Sequence, residues 1–123
     1  MTKKRPLTVV DNGFLITETD DSPKHIAGLQ TYIKPKRAAK TFVKKLYDQW
    51  IKVDSACAPY NLILNAKNPL KPYWEESPNF RAKEHVFFLT LKQGTREELN
   101  TLVSELHEPR LDMSKPLWRC FFI

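Results

Sequence analysis

Glycine is scarce in this 123-residue sequence, at 3 residues, and cysteine scarcer, at 2. So few glycines offer no Gly-rich cradle for a phosphate group. The cysteines, Cys57 and Cys120, are too few for a disulfide framework, and no Cys-x-x-Cys exists to hold zinc or run redox chemistry. Cys120 lies in an apolar run and reads as a small buried hydrophobe. The three histidines, His25, His85 and His107, are scattered. Their spacing suits neither a metal site nor a nucleophile–base–acid triad. No apolar run approaches the roughly 20 residues that a membrane-spanning helix needs. The start, Met1-Thr2-Lys3-Lys4-Arg5, is basic but leads into no apolar h-region. This argues against a secretory signal and for a cytoplasmic protein. Internal repeats and low-complexity linkers are also lacking.

What is present describes a globular chain. The sequence is 41% hydrophobic and 11% aromatic, and its length suits one small domain with a modest core. The net charge of +6 favours an anionic partner: nucleic acid, an anionic membrane, or the phosphates of a cofactor such as coenzyme A. Nucleic acid is disfavoured, because no binding motif is present and the aromatics fall on apolar faces rather than among the lysines.

Local patterns predict a mixed order of helices and strands. Thr8 and Asp11 form a capping box that opens a helix over residues 9–16. Residues 25–33 read as a strand, rich in β-branched and aromatic residues. A helix is expected over 38–52, with Phe42, Leu46 and Trp50 at i, i+4, i+8. Short strands are expected over 60–64 and 70–74, an irregular polar stretch over 75–83, and a further strand over 86–91. Thr95 and Glu98 make a second capping box, opening a helix that carries Leu99, Leu102, Val103 and Leu106 on one face. Residues 117–123 read as a last, apolar strand. No turn or cap closes it, so the sequence is expected to be the front part of a longer protein. The order argues an α/β sandwich with one covered sheet.

Six motifs, in order, resemble one family. They are Pro6-Leu7-Thr8-x-x-Asp11-x-x-Phe14-Leu15, Pro23-Lys24-His25-Ile26-Ala27-Gly28-Leu29, Ala58-Pro59-Tyr60-Asn61, Tyr73-Trp74-Glu75-Glu76-x-x-x-Phe80, Gly94-x-Arg96-x-Glu98-Leu99, and Leu106-His107-x-x-x-Leu111-Asp112-x-x-x-Pro116-Leu117-Trp118. They resemble the wax ester synthase/diacylglycerol acyltransferase family of acyl-CoA-dependent enzymes, and the resemblance spans residues 5–123. The departures are modest: Lys24 stands for the usual Met, Ala27 for a Gly, and residues 84–88 keep one His where the family often has two. The resemblance implies that residues 1–123 are the N-terminal part of the acyltransferase N-terminal domain. The implied fold is an incomplete chloramphenicol-acetyltransferase-like α/β domain, a mixed sheet with covering helices.

The resemblance also implies a reaction: transfer of a fatty acyl group from acyl-CoA to diacylglycerol or a long-chain alcohol, with no metal or organic cofactor. The family's catalytic His-His-x-x-x-Asp-Gly does not occur in these residues, so no catalytic residue is assigned here and the chain alone is expected to be inactive. Pro116, Leu117 and Trp118 are read as core packing beside the strand that would deliver the catalytic His. His25 is either a structural residue at a strand start or a tunnel-lining one. His85 is expected at the surface. His107 sits where a helix C-terminus favours positive charge. Lys34, Lys36, Arg37, Lys40, Lys44, Lys45 and Lys52 form a basic helix face. It is either simply solvated or, through Lys40, Lys44 and Lys45, a contact with an anionic membrane or lipid droplet. Two other readings stay open: a non-catalytic lipid- or protein-binding half-domain, and a fragment of the related peptide-synthetase condensation domain.

Overall fold

The threonine hydroxyl of Thr8 starts the first helix as its sequence suggests. The Asp11 N–H donates to Thr8 Oγ1, and the Thr8 N–H donates back to the Asp11 carboxylate at 2.8 Å. Helix α1 runs Val9–Thr17 behind this reciprocal cap. The computed structural model describes residues 4–123, so the beginning of the basic run, residues 1–3, lies outside the described residues. Two units make up the chain: residues 4–25 with Ser55–Phe80 and Glu108–Trp118, and Ile26–Asp54 with Arg81–His107 and Arg119–Ile123.

The first unit holds α1 and an antiparallel sheet of β1 (Arg5–Pro6), β2 (Leu62–Asn65) and β3 (Tyr73–Glu76), in the order β1-β3-β2. The β2 and β3 strands start two to three residues later than the pattern suggests. Asparagine chemistry explains the shift. Asn65 Oδ1 accepts the Lys67 N–H and Asn68 Oδ1 accepts the Leu70 N–H, so residues 66–72 are used in turns. Leu62 pairs with Glu76 and Asn65 with Tyr73, which carries Glu75 and Glu76 out of the expected irregular stretch and into the sheet.

The second unit holds α2 (Phe42–Trp50), β4 (Val86–Phe88), α3 (Arg96–His107) and β5 (Cys120–Phe122). Strands β4 and β5 pair in parallel, Val86 with Cys120 and Phe88 with Phe122. The strands of the described residues therefore fall in two sheets, rather than in the one covered sheet that the element order suggests. Helix α2 is shorter than the expected 38–52. Thr41 gives it no side-chain cap, and the residues before it are taken up by turns. Its apolar side packs on the sheet. Tyr47 lies 5.6 Å from Phe88, and Trp50 meets Phe122 edge-on at 5.7 Å.

Two expectations are corrected here. Residues 25–33 form no strand, and no neighbouring segment among the described residues supplies a ladder. Apolar and β-branched residues favour extended backbone, but a strand needs a partner to exist. His85 is not at the surface: it is 3% exposed. A short 3-10 turn at Ala82–Glu84 folds the chain inward just before it, and the His85 carbonyl accepts the Cys120 N–H at 2.8 Å, which draws the residue beneath the parallel pair. The polar neighbours Lys83 and Glu84 had masked this.

Candidate functional site

Trp118 is the centre of the best-built aromatic cluster in the first unit. Its approach is set by Asp112, whose carboxylate accepts from both the N–H and the hydroxyl of Ser114. These two hydrogen bonds, side chain first, hold the Asp112 carboxyl below its ordinary pKa. The turn leads to Pro116, which is buried, and to Trp118. The Trp118 indole Nε1–H donates to the Tyr60 carbonyl at 2.8 Å. Its ring meets Tyr60 edge-on at 6.2 Å and the buried Phe80 at 6.2 Å. Next to Tyr60, the Asn61 carbonyl accepts the Ser77 N–H at 2.8 Å. The Pro-Tyr-Asn and Pro-Leu-Trp motifs thus meet, and Phe80 of a third motif also packs on Trp118.

Other motifs meet in the same unit. Pro6 pairs with Tyr73 and Arg5 with Trp74 in the sheet, and the Trp74 indole donates to the Asp11 carboxylate at 3.2 Å. Partial burial pushes the Asp11 carboxyl up. The Thr8 N–H, the Trp74 indole and the Thr8 hydroxyl together outweigh this and leave it below its ordinary value. Arg110, inside the last motif, reaches Glu18 at 3.1 Å and Asp20 at 3.0 Å, just before Pro23-Lys24-His25. Glu18 also accepts the Lys24 N–H, and its side chain is 5% exposed.

In the second unit, Arg119 donates to the Leu106 carbonyl at 3.2 Å, and Phe121 of β5 stacks on Phe87 of β4 at 5.2 Å. Burial pushes the Cys120 thiol up, so it stays protonated.

The residues singled out in the sequence fall as follows. Pro116 and Trp118 sit in the aromatic cluster and Leu117 is half-buried beside them. His25 is half-buried in an irregular segment after the Thr19–Ser22 bridge. His107 is the last residue of α3 and is exposed. The three histidines lie in three separate segments: His25 in a loop, His85 between the 3-10 turn and β4, and His107 at the end of α3. Among the described residues no three His, Cys, Asp or Glu side chains could hold a metal together. Lys44 is tied to Asp48 one turn along α2 and lies over the rings of Tyr47 and Phe88. Lys40 precedes the helix, and Lys40 and Lys45 are exposed.

The second helix starts where the sequence places it, but the sequence did not show what the Glu98 carboxylate does there. Thr95 Oγ1 accepts the Glu98 N–H, as a capping box predicts. The Glu98 carboxylate, however, accepts from three consecutive backbone N–H groups, those of Lys92, Gln93 and Gly94, at 2.6, 2.8 and 3.0 Å. They hold its pKa down, Lys92 and Gln93 foremost. The signal was Gly94: its φ of 67° folds the three N–H groups around one anion.

Comparison with known proteins agrees with this framework. Residues 7–123 match the family model described as the wax ester synthase/diacylglycerol acyltransferase catalytic domain. The O-acyltransferase WSD of Acinetobacter baylyi is 33% identical over 121 residues, covering 97% of this chain and 25% of that protein. The solved wax ester synthase/diacylglycerol acyltransferase from Marinobacter aquaeolei VT8 superposes with a TM-score of 0.89 at 30% identity, covering 95% of this chain and 28% of that one. The chain spans about a quarter of the length of the curated relatives it matches. With the model match running from the first capping box to the last strand, the chain belongs to the wax ester synthase/diacylglycerol acyltransferase family.

Proposed function

We propose that this chain is the opening part of an O-acyltransferase that moves a fatty acyl group from acyl-CoA to the hydroxyl of diacylglycerol or a long-chain alcohol, giving triacylglycerol or wax ester. The observation that carries this is the match of the whole framework, at a TM-score of 0.89 and 30% identity, to an enzyme named for both reactions. In such a transfer a His base takes the proton of the acceptor hydroxyl. The oxygen attacks the thioester carbonyl, the C–S bond breaks, and coenzyme A leaves as the thiol. Acyl-CoA is a substrate here, and neither a metal nor an organic cofactor takes part.

No residue of this chain is assigned the base. Its contribution is to hold β5 and the segment before it in place, through Trp118 on Tyr60 and Phe80 and through Arg119 on α3. No helix among the described residues is long and apolar enough to cross a membrane. We place the work on the cytoplasmic side of a membrane or lipid-droplet surface, reached from the water phase.

Release of free coenzyme A from palmitoyl-CoA, with diacylglycerol or hexadecanol as acceptor, tests the reading. The 123-residue chain is expected to give no turnover, and a chain extended to include His-His-x-x-x-Asp-Gly is expected to turn over. Turnover by the 123-residue chain above a heat-killed control would overturn its framework role and direct attention to His25. An extended chain that is folded yet inactive with every acceptor would overturn the acyltransferase reading and leave a non-catalytic lipid- or protein-binding half-domain.

A further inference from the structure

Among the described residues one polar residue is buried, His85, and the proposed transfer assigns it no part. The ground around it is tightly built. Its neighbour Val86 is 1% exposed and Ala82 is 4% exposed. The Ala82 N–H donates to the carbonyl of Val53, just past α2, at 2.9 Å, and the His85 N–H donates to the Ala82 carbonyl at 2.9 Å. These two bonds fix how the chain enters β4.

The same residue meets β5. The His85 carbonyl accepts the Cys120 N–H at one end of the parallel pair, and the Leu89 N–H donates to the Phe122 carbonyl at 2.8 Å at the other. Phe87 stacks on Phe121 between these ends. His85 thus stands where β5 begins. Packing alone does not call for an imidazole at this point. Leucine fills a similar volume and gives up no hydration, whereas an enclosed imidazole costs stability unless its ring nitrogens are hydrogen-bonded. What the ring adds is direction: in the neutral form one nitrogen donates and the other accepts. Such a group holds its surroundings to one arrangement, where apolar packing tolerates several.

We propose that His85 is a positioning residue for acyl transfer: its buried imidazole fixes the start of β5 against β4, and through β5 it sets the placement of the general base. It acts at a distance, through the strand, and not on the substrate. The inference rests on the acyltransferase reading, in which that base is carried by a strand beside β5. Its own ground is the burial of His85, the two bonds that lead into it, and its backbone bond to Cys120.

The extended chain that includes His-His-x-x-x-Asp-Gly carries the test, with palmitoyl-CoA and hexadecanol as substrates and coenzyme A release as the readout. His85→Leu fills the space without the ring nitrogens, and His85→Gln restores a donor and an acceptor. Circular dichroism shows that each variant is folded at the assay temperature. His85→Leu is expected to keep KM for both substrates and to lower kcat by roughly ten- to a hundredfold, the cost of a base displaced by about 1 Å or less. His85→Gln is expected to fall between His85→Leu and wild type in kcat, again with KM unchanged. Amide hydrogen exchange at Cys120–Phe122 is expected to quicken in His85→Leu, while α3 exchanges as in wild type. A folded His85→Leu with the wild-type kcat, a loss that appears in KM instead, or no recovery in His85→Gln would overturn the proposal. Should His85→Leu not fold, His85→Gln decides alone: a lowered kcat at constant KM supports the role, and the wild-type kcat overturns it. A folded wild-type chain that is inactive with every acceptor would remove the acyltransferase reading and this role with it. An active wild type beside an equally active His85→Leu would remove this role only.

Discussion

Replacing Trp118 separates a packing role from a chemical one. The side chain holds an indole hydrogen bond to the Tyr60 carbonyl at 2.8 Å and ring contacts with Tyr60 and Phe80, each at 6.2 Å. An aromatic side chain buries 150–250 Å² when fully enclosed, so at about 25 cal/mol per Å² its transfer is worth at most roughly 4–6 kcal/mol. Trp118 is only partly enclosed, and the unfolded chain already covers some of that area. Trp118→Ala is therefore expected to cost about 3 kcal/mol, the low end for such truncations. Trp118→Phe keeps most of the ring area but loses the indole N–H, at a cost of about 1–2 kcal/mol. For a chain of this size these losses correspond to a melting temperature lower by on the order of 10 °C for Ala and about 5 °C for Phe. Thermal melts followed by circular dichroism, beside coenzyme A release by the extended chain, measure both effects. The Phe variant is expected to retain acyl transfer below its melting temperature. If the Phe variant melts like wild type but transfers no acyl group, Trp118 touches the reacting groups and the packing argument fails.

Gly94→Ala is expected to cost about 1–2 kcal/mol: a Cβ there meets nothing within 4 Å, so the cost is that of holding φ at 67°. A denaturation midpoint equal to wild type would show that the Lys92–Gly94 turn relaxes freely. In acid, the depressed carboxyls of Asp11, Glu98 and Asp112 set the sign. The unfolded chain binds more protons, so their stabilisation is complete above the unfolded values of about 4 and is lost as pH falls through the lower folded ones. The urea midpoint should drop as pH falls below about 4, with a shallower drop in Glu98→Gln, and a midpoint that ignores acid would refute this. Arg110→Ala should lower the melting temperature more than Asp20→Ala, because Glu18 is 5% exposed and Asp20 92% exposed. Glu18→Gln should recover part of that loss when added to Arg110→Ala, whereas simple additivity of the two changes would mean that the pair is not coupled.

What the sequence made legible was mostly local. Thr8 and Asp11 stand three residues apart, and their cap needs nothing else to form. The α3 stripe and its Thr95 cap are equally local. The motifs also sufficed to place the chain in its family and fold, because six weak patterns in fixed order are jointly specific. What stayed hidden depends on distant partners. The Trp74–Asp11 hydrogen bond spans 63 positions, Trp118–Tyr60 spans 58, and Arg110–Glu18 spans 92. Periodicity carries no information about such pairs. For the same reason residues 25–33 read as a strand although nothing among the described residues pairs with them. His85 read as exposed although β5 draws it in. The stripe of α2 was visible, but not that β4 and β5 would take it.

These long-range bonds also show what the family's motifs do within this chain. Trp74 with Asp11, Trp118 with Tyr60 and Arg110 with Glu18 each tie a backbone segment to another far away in sequence. None of them places a group of ordinary basicity where a hydroxyl could be deprotonated. Yet a general base works only within hydrogen-bond reach of its proton, and a misplacement of about 1 Å can cost on the order of a hundredfold in rate. If, as proposed, the transfer uses a histidine delivered by a strand beside β5, the neighbouring strands need to be fixed to better than that. Aromatic rings locked by an indole hydrogen bond, buried proline, and a carboxylate held between an arginine and a backbone N–H are stiff enough to do so. On the proposed reading the motifs in residues 6–118 hold geometry. Substitutions in them should reduce acyl transfer in proportion to lost stability, and a motif residue whose loss abolishes transfer without loosening the fold would be the first in this chain to act on substrate directly.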